Sequence, residues 1–183
     1  MGCDRNEHWM IPTADKRAFD AFVAGSSDRL VRTAYLLCGD RGHAEDLVQT
    51  ALLRTARRWR TARDQPEAYA RKIVVNLAKD RWRLLSRRAP EVPMDAATDS
   101  VMGRAETDAL HDRDELMRAA RQLPDGQRAV LVLRFFDDLS VEDTAAALGV
   151  STGTVKSQTS RALAALRSTL ATSSLQENPD ADR

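Results

Sequence analysis

Residues 139–166 read LSVEDTAAALGVSTGTVKSQTSRALAAL. The pattern is two short helices joined by a tight turn. Ser140 with Asp143 forms a capping pair for the first helix. Ala145 and Ala146 are small, which lets a second helix cross close by. Gly149 ends the first helix where a left-handed backbone is required, and Ser151 caps the second. In that second helix Val155, Thr159, Ala162, Leu163 and Leu166 share one face at helical spacing. The opposite face carries Gly153, Ser157, Ser160, Arg161 and Ala164, with Lys156 on its flank. A helix that enters a DNA major groove needs such a face: small residues for close approach, and a few groups for base edges and phosphates. The ordinary alternative is a helical hairpin with a solvated outer face.

The rest of the chain is read from this hairpin outward. Apolar spacing is helical throughout and strand signals are nearly absent, so the fold expected is all-α. Residues 1–15 and 172–183 read as loose tails. Residues 16–88 make a first helical domain and 112–171 a second. The stretch 89–111, APEVPMDAATDSVMGRAETDALH, has two prolines, many acids and few large apolar groups, the composition of an acidic flexible linker. Each domain is small, so each core is modest.

The net charge of +1 over 183 residues conceals strong segregation. Residues 54–88 hold 12 Lys/Arg against 3 Asp/Glu, while residues 89–115 hold 2 against 8. A basic block beside an acidic one points to a polyanionic partner and lets the linker fold back on the basic surface. The two cysteines, Cys3 and Cys38, make no disulfide framework. With His43 they are too few and too scattered for a metal site, and no metal or cofactor is expected. No signal peptide or membrane-length apolar run is visible, so a cytoplasmic protein without membrane insertion is expected.

Two helices of the first domain carry surface patterns. In the helix at about 44–59, Leu47, Val48, Ala51, Leu52, Thr55 and Trp59 lie on one side. Asp46, Gln49, Thr50, Leu53 and Arg57 lie on the other, so Leu53 is an apolar residue within a polar face. With Asp46 and Gln49 it makes a candidate protein-contact patch, although a single exposed leucine is ordinary. The helix at about 66–88 starts with Pro66 at its first position. Tyr69, Ala70, Ile73, Leu77 and Leu84 are its expected core face. Lys72, Asn76, Lys79 and Arg83 form a stripe at spacings of 4, 3 and 4, with Val75 and Trp82 beside it. Cations for phosphates, an amide for a base edge and a ring for stacking suit a nucleic-acid strand. A solvated basic face is the alternative.

Four stretches taken in order resemble a known family. They are AEDLVQ at 44–49, AYARKIVVN at 68–76 with KDRWR at 79–83, LPDGQRAVLVLRFFDDLS at 123–140, and GVSTGTVKSQTSRALAALR at 149–167. Together they resemble bacterial RNA polymerase sigma factors of the extracytoplasmic-function group, which keeps only the second and fourth sigma domains. AYLLCGDR, DLVQTAL and GTVKS resemble an actinobacterial, sigma-E-like branch of that group. The resemblance covers about residues 19–170.

It implies a function: directing core RNA polymerase to promoters and initiating transcription. It implies that Asp46, Leu47, Val48 and Gln49 dock on the clamp coiled coil of the polymerase, with Leu53 adjoining them. The basic helix would recognise and melt the −10 element of promoter DNA through Lys72, Asn76, Lys79 and Arg83, with Asn76 at a specificity position. The loop 60–65 would hold a flipped non-template base. Lys156, Ser157, Ser160 and Arg161 would read the −35 element, and the linker would thread toward the RNA exit channel. An anti-sigma factor is a further possible partner. Leu52 departs from the family, standing where many members have Phe. The aromatic cluster used for melting in housekeeping sigma factors is reduced here to Trp59, Tyr69 and Trp82.

Two rivals are weighed. A helix-turn-helix regulator acting without polymerase recruitment usually brings a sensing or receiver domain, and residues 16–88 show no βαβ pattern. An enzyme would need a phosphate-binding GxxxxGK, a nucleophile elbow or a rigid acidic metal cluster; none is visible, and no catalytic residue is expected.

Overall fold

The structure, a computed structural model, describes residues 13–87 and 118–176. The expected linker 89–111 and most of the two expected tails lie outside those residues. Every regular element among the described residues is helical. The chain falls into two compact units, Met1–Arg81 and Trp82–Arg183.

In the first unit, α1 (Thr13–Cys38) begins inside the stretch expected as a tail. It buries Phe22, Ser26, Leu30, Thr33, Ala34 and Leu37 along one stripe. The buried hydroxyl of Thr33 donates to the Arg29 carbonyl at 3.0 Å, four residues back, so its burial leaves no unpaired polar group. Gly39, at φ +77°, turns the chain, and its N–H donates to the Tyr35 carbonyl. Asp40 then caps α2 (Arg41–Arg57), which packs on α1 through Ala44, Val48, Ala51 and Thr55. Spacings of 4, 3 and 4 keep these four on one face.

The helix expected to run to residue 59 breaks at Arg58, which leaves helical geometry at φ −117° and ψ 25°, and the short α3 (Trp59–Ala62) follows. Trp59 is the reason for the break. It is buried against α1, edge-on to Phe19 at 5.2 Å and 6.0 Å from Phe22. Such aromatic contacts add roughly 0.5–1.5 kcal/mol beyond the area they bury.

The next helix, α4 (Pro66–Arg87), starts at Pro66 as expected, but its buried face is Ala70, Arg71, Val74, Val75 and Ala78. Tyr69, Ile73 and Leu77 are only half-buried. Leu84, expected in the core, is 56% exposed. Leu85 beside it is also exposed.

In the second unit, a helical segment at 118–122 (α5) precedes α6 (Asp125–Leu131). A π-helical turn, Val132–Phe136, follows α6 directly. The wider turn ends with the Asp137 N–H on the Val132 carbonyl and the Leu139 N–H on the Leu133 carbonyl. The Arg134 guanidinium donates to the Leu139 carbonyl and ties the turn to the start of α7 (Val141–Leu148). Then comes α8 (Thr152–Gln176), which continues into the stretch expected as a tail. Both α6 and α7 pack on α8. The core here is Ala119, Leu123, Leu131, Ala162 and Leu166, with Leu163 and Leu170 half-buried around it.

Candidate nucleic-acid interface

The α7–turn–α8 hairpin is built by local chemistry. Ser140 Oγ accepts the Asp143 N–H at 2.9 Å and donates to the Asp143 carboxylate at 2.7 Å. Gly149 sits at φ +65°, the left-handed region, and the Val150 N–H donates to the Ala145 carbonyl at 3.1 Å. Ser151 Oγ accepts the Thr154 N–H at 3.1 Å and opens α8. Of the two small residues expected at the crossing, Ala145 is buried and Ala146 is exposed, so one alanine faces the core.

On α8, Val155, Ala162 and Leu166 are buried, and Thr159 and Leu163 are half-buried. Gly153, Lys156, Ser157, Ser160, Arg161 and Ala164 are all exposed. The Ser157 hydroxyl donates to the Thr154 carbonyl at 3.0 Å, and its oxygen keeps acceptor capacity. The first three turns of α8 therefore present small and polar side chains on this face, with Lys156 and Arg161 as the cations.

On α4, Lys72, Asn76 and Arg83 are exposed and Lys79 is half-buried. Val75, expected beside the stripe, lies in the core. A cleft of about 390 Å³ opens at the start of this stripe, lined by Thr61, Ala62, Asp64, Gln65, Ala68, Tyr69 and Lys72. Residues 60–65, expected as a loop, are helical through Ala62, the end of α3, and only 63–65 form the turn before α4. Thr61, Ala62, Asp64 and Gln65 from this stretch line one cleft with Lys72, the first residue of the stripe. The cleft offers a carboxylate, an amide, a hydroxyl, an aromatic ring and a cation.

On α2, Asp46, Gln49 and Leu53 are exposed, Leu53 by 56%. Leu47 is half-buried. Val48 is 3% exposed and belongs to the contact with α1, so it supports the outer face and is not part of it. Asp40 fixes the start of this helix. Its carboxylate accepts the His43 N–H at 2.7 Å, and that bond, with a second to the His43 ring, holds it below the usual carboxylate range.

Cys38 is half-buried, and its thiol donates to the Asp40 carbonyl at 3.2 Å. Burial pushes the thiol above its ordinary value, away from a reactive thiolate. Among the described residues no group of His, Cys, Asp and Glu could hold a metal ion, and Cys3 lies outside them. No helix among them is long and apolar enough to cross a membrane.

Residues 22–88 match the family described as "Sigma-70 region 2", and residues 113–166 match "Sigma-70, region 4". The chain is 44% identical over 154 residues to the RNA polymerase sigma-E factor of Streptomyces coelicolor, covering 83% of this chain and 85% of that one. It is 33% identical over 154 residues to the ECF RNA polymerase sigma factor SigM of Mycobacterium tuberculosis strain H37Rv, covering 83% and 76%.

The chain belongs to the ECF RNA polymerase sigma factor family.

Its fold agrees. The sigma factor RpoE of Bartonella quintana, solved with the anti-sigma factor NepR, is similar at TM-score 0.61 and 24% identity, over 90% of this chain and 98% of that one. CnrH, solved with the cytosolic domain of CnrY, gives 0.60 and 23%, over 86% and 90%. As a sigma factor the protein directs RNA polymerase to promoters. The region 2 match covers α2 and α4, so the rival reading, a regulator without polymerase recruitment, is not favoured. The sigma factor also exposes a residue the sequence reading passed over. Phe135, on the π-helical turn, is 59% exposed with the Arg134 guanidinium 5.9 Å from its ring. It lies in an apolar run, LVLRFF at 131–136, in which Leu131, Val132 and Leu133 are buried.

Proposed function

We propose that this sigma factor binds core RNA polymerase through α2 and reads promoter DNA with α4 and α8. Lys156, Ser157, Ser160 and Arg161 contact the −35 element in the major groove. Lys72, Asn76, Lys79 and Arg83 track the −10 element: the cations hold phosphates and Asn76 discriminates a base. The cleft between the α3–α4 loop and Lys72 receives an unstacked base. Asp46, Gln49 and Leu53, with Leu47 at their edge, dock on the polymerase. The protein performs no catalysis of its own and acts in the cytoplasm, where polymerase works. An anti-sigma factor that covers α2 or α4 would silence it.

The observation that carries this reading is a second exposed basic reader. The α8 face alone fits any helix-turn-helix protein, whereas the α4 stripe with its adjoining cleft suits strand-separated DNA. Reconstitution with core polymerase, followed by sequencing of transcript starts, tests it. Starts should cluster downstream of a shared pair of elements. Binding of promoter duplex without promoter-specific initiation would restore the regulator reading.

A further inference from the structure

Arg71 is the most deeply buried cation among the described residues, 8% exposed in a helix otherwise lined by alanine and valine. A buried cation is costly unless paired. Glu67, one turn earlier, is one of its partners: Arg71 Nη2 donates to Glu67 Oε1 at 2.7 Å. The same oxygen accepts from Arg29 Nη1 on α1 at 3.1 Å. One carboxylate oxygen thus joins the first turn of α4 to α1.

The neighbours of Glu67 and Arg71 give this bridge a consequence. Ala68, Tyr69 and Lys72 alternate with them along the same two turns, and these three form the α4 wall of the cleft. The facing wall is Thr61, Ala62, Asp64 and Gln65. Glu67 also stands in the first turn of α4, where a carboxylate is favoured by the helix dipole. Backbone bonds already shape this turn, from the Gln65 N–H to the Ala62 carbonyl and from the Tyr69 N–H to the Gln65 carbonyl, each at 3.0 Å. The Glu67 bridge adds a side-chain tie from the start of α4 to α1. Discrimination between bases needs a wall held to within about 0.5 Å.

We propose that Arg29, Glu67 and Arg71 are positioning residues for base recognition: the bridge fixes the α4 wall of the cleft and so the base preference at one position of the −10 element. This rests on the reading of the cleft as a base-binding site. None of the three residues lines the cleft, so their effect passes through Ala68, Tyr69 and Lys72.

The experiment uses the full chain in reconstituted holoenzyme, with promoters carrying each of the four bases at successive −10 positions. The readout is the ratio of initiation between the best and second-best base, with core-polymerase affinity and thermal unfolding measured in parallel. Arg29→Met removes only the exposed end of the bridge and leaves the Arg71–Glu67 pair in place. It should lower the ratio about two- to fivefold at one position, with core affinity unchanged. Arg29→Lys should restore it. Glu67→Gln, which removes the charge that Arg29 and Arg71 share, should lower the ratio more than Arg29→Met does, at the same position. Gln65→Ala, in the cleft itself, is the control. If Gln65→Ala shifts base preference while Arg29→Met and Glu67→Gln lose stability only, the bridge is structural and the proposal is overturned. If Gln65→Ala shifts nothing, the cleft reads no base, and both the cleft reading and the proposal fall.

Discussion

The Asp40 carboxylate accepts two bonds from His43, one from the backbone N–H at 2.7 Å and one from ring Nδ1 at 2.9 Å. It thereby fixes the first turn of the helix that carries Asp46, Gln49 and Leu53. Both bonds favour the charged form and hold the carboxyl below its usual range. A depressed folded value means that the stabilisation is complete above the unfolded carboxylate value of about 3.9 and is lost as pH falls through the lower folded value. Asp40→Ala should therefore cost about 1 kcal/mol near neutral pH. Asp40→Asn should keep most of the cap, because the amide oxygen still accepts the N–H. It should also remove this residue's share of the acid sensitivity. Chemical unfolding at a series of pH values from neutral to acid, for wild type and both variants, checks the sign. A cost for Asp40→Asn that grows toward low pH would reverse it.

Leu53 and Val48 lie on one helix with opposite exposures, 56% and 3%. Leu53→Glu should leave stability within about 0.5 kcal/mol of wild type and weaken binding to core polymerase by tenfold or more if the leucine anchors the contact, at about 1.4 kcal/mol per factor of ten. Val48→Ala should do the reverse, losing about 1–2 kcal/mol of stability through the methyl groups removed from the α1–α2 packing. The pair is read by thermal unfolding alongside titration of labelled protein with core polymerase. Equal affinity losses in the two variants, each explained by unfolding, would remove α2 from the interface.

What the sequence revealed follows from how far each interaction reaches. The hairpin at 139–166 was legible because its determinants are local: Ser140 bonds three residues on, Gly149 adopts a left-handed backbone, and Ser151 repeats the cap. The exposed set on α8 came from the same stretch by periodicity alone. Along α4 the same periodicity misled. Ile73, Leu77 and Leu84 share a wheel position and are larger than the alanines, yet the buried positions include Ala70, Val74, Val75 and Ala78, and Leu84 is exposed. A wheel shows that a face exists; which arc of it is covered, and for how far, is a tertiary fact. The α2–α3 break at Arg58 was missed for a similar reason, since Trp59 is drawn out of line by Phe19 and Phe22, many residues away in α1. The π-helical turn and the cleft beside Lys72 left no local signal at all. Each arises from how one turn meets the next element.

The α4 stripe separates two kinds of contact. Asn76 is exposed and uncharged, and its amide presents both a donor and an acceptor to a base edge. Lys72 is exposed at the mouth of the cleft, where a cation meets phosphate or the edge of a bound base. Asn76→Ala should therefore change the ranking of −10 variants. Arg83→Ala, an exposed cation near the far end of the helix, should lower initiation on all of them and reduce the slope of log affinity against log salt by about 1. The assay is transcription from a −10 library, with binding to a melted promoter template over a range of salt. An unchanged ranking for Asn76→Ala would make that residue a spacer in an electrostatic stripe.

On α8, Lys156 and Arg161 flank the exposed serines, on a face opposite the buried Val155, Ala162 and Leu166. Their removal should leave folding intact, because neither contributes to the Val155–Ala162–Leu166 face. An arginine in this position has the fork geometry to take two acceptors of a guanine, whereas a lysine acts as a point charge. Arg161→Ala should cost about 1–3 kcal/mol against the preferred −35 sequence and relax preference at one base pair. Lys156→Ala should weaken preferred and scrambled −35 sequences alike and lower the salt dependence by about one phosphate contact. Arg161→Lys discriminates further: retained affinity with lost preference marks a bidentate base contact, while retained preference marks a phosphate contact. Competition binding between −35 variants at two salt concentrations measures all of these. A double variant of Lys156 and Arg161 that folds normally and still initiates at the wild-type level on every −35 variant would remove this face of α8 from promoter recognition.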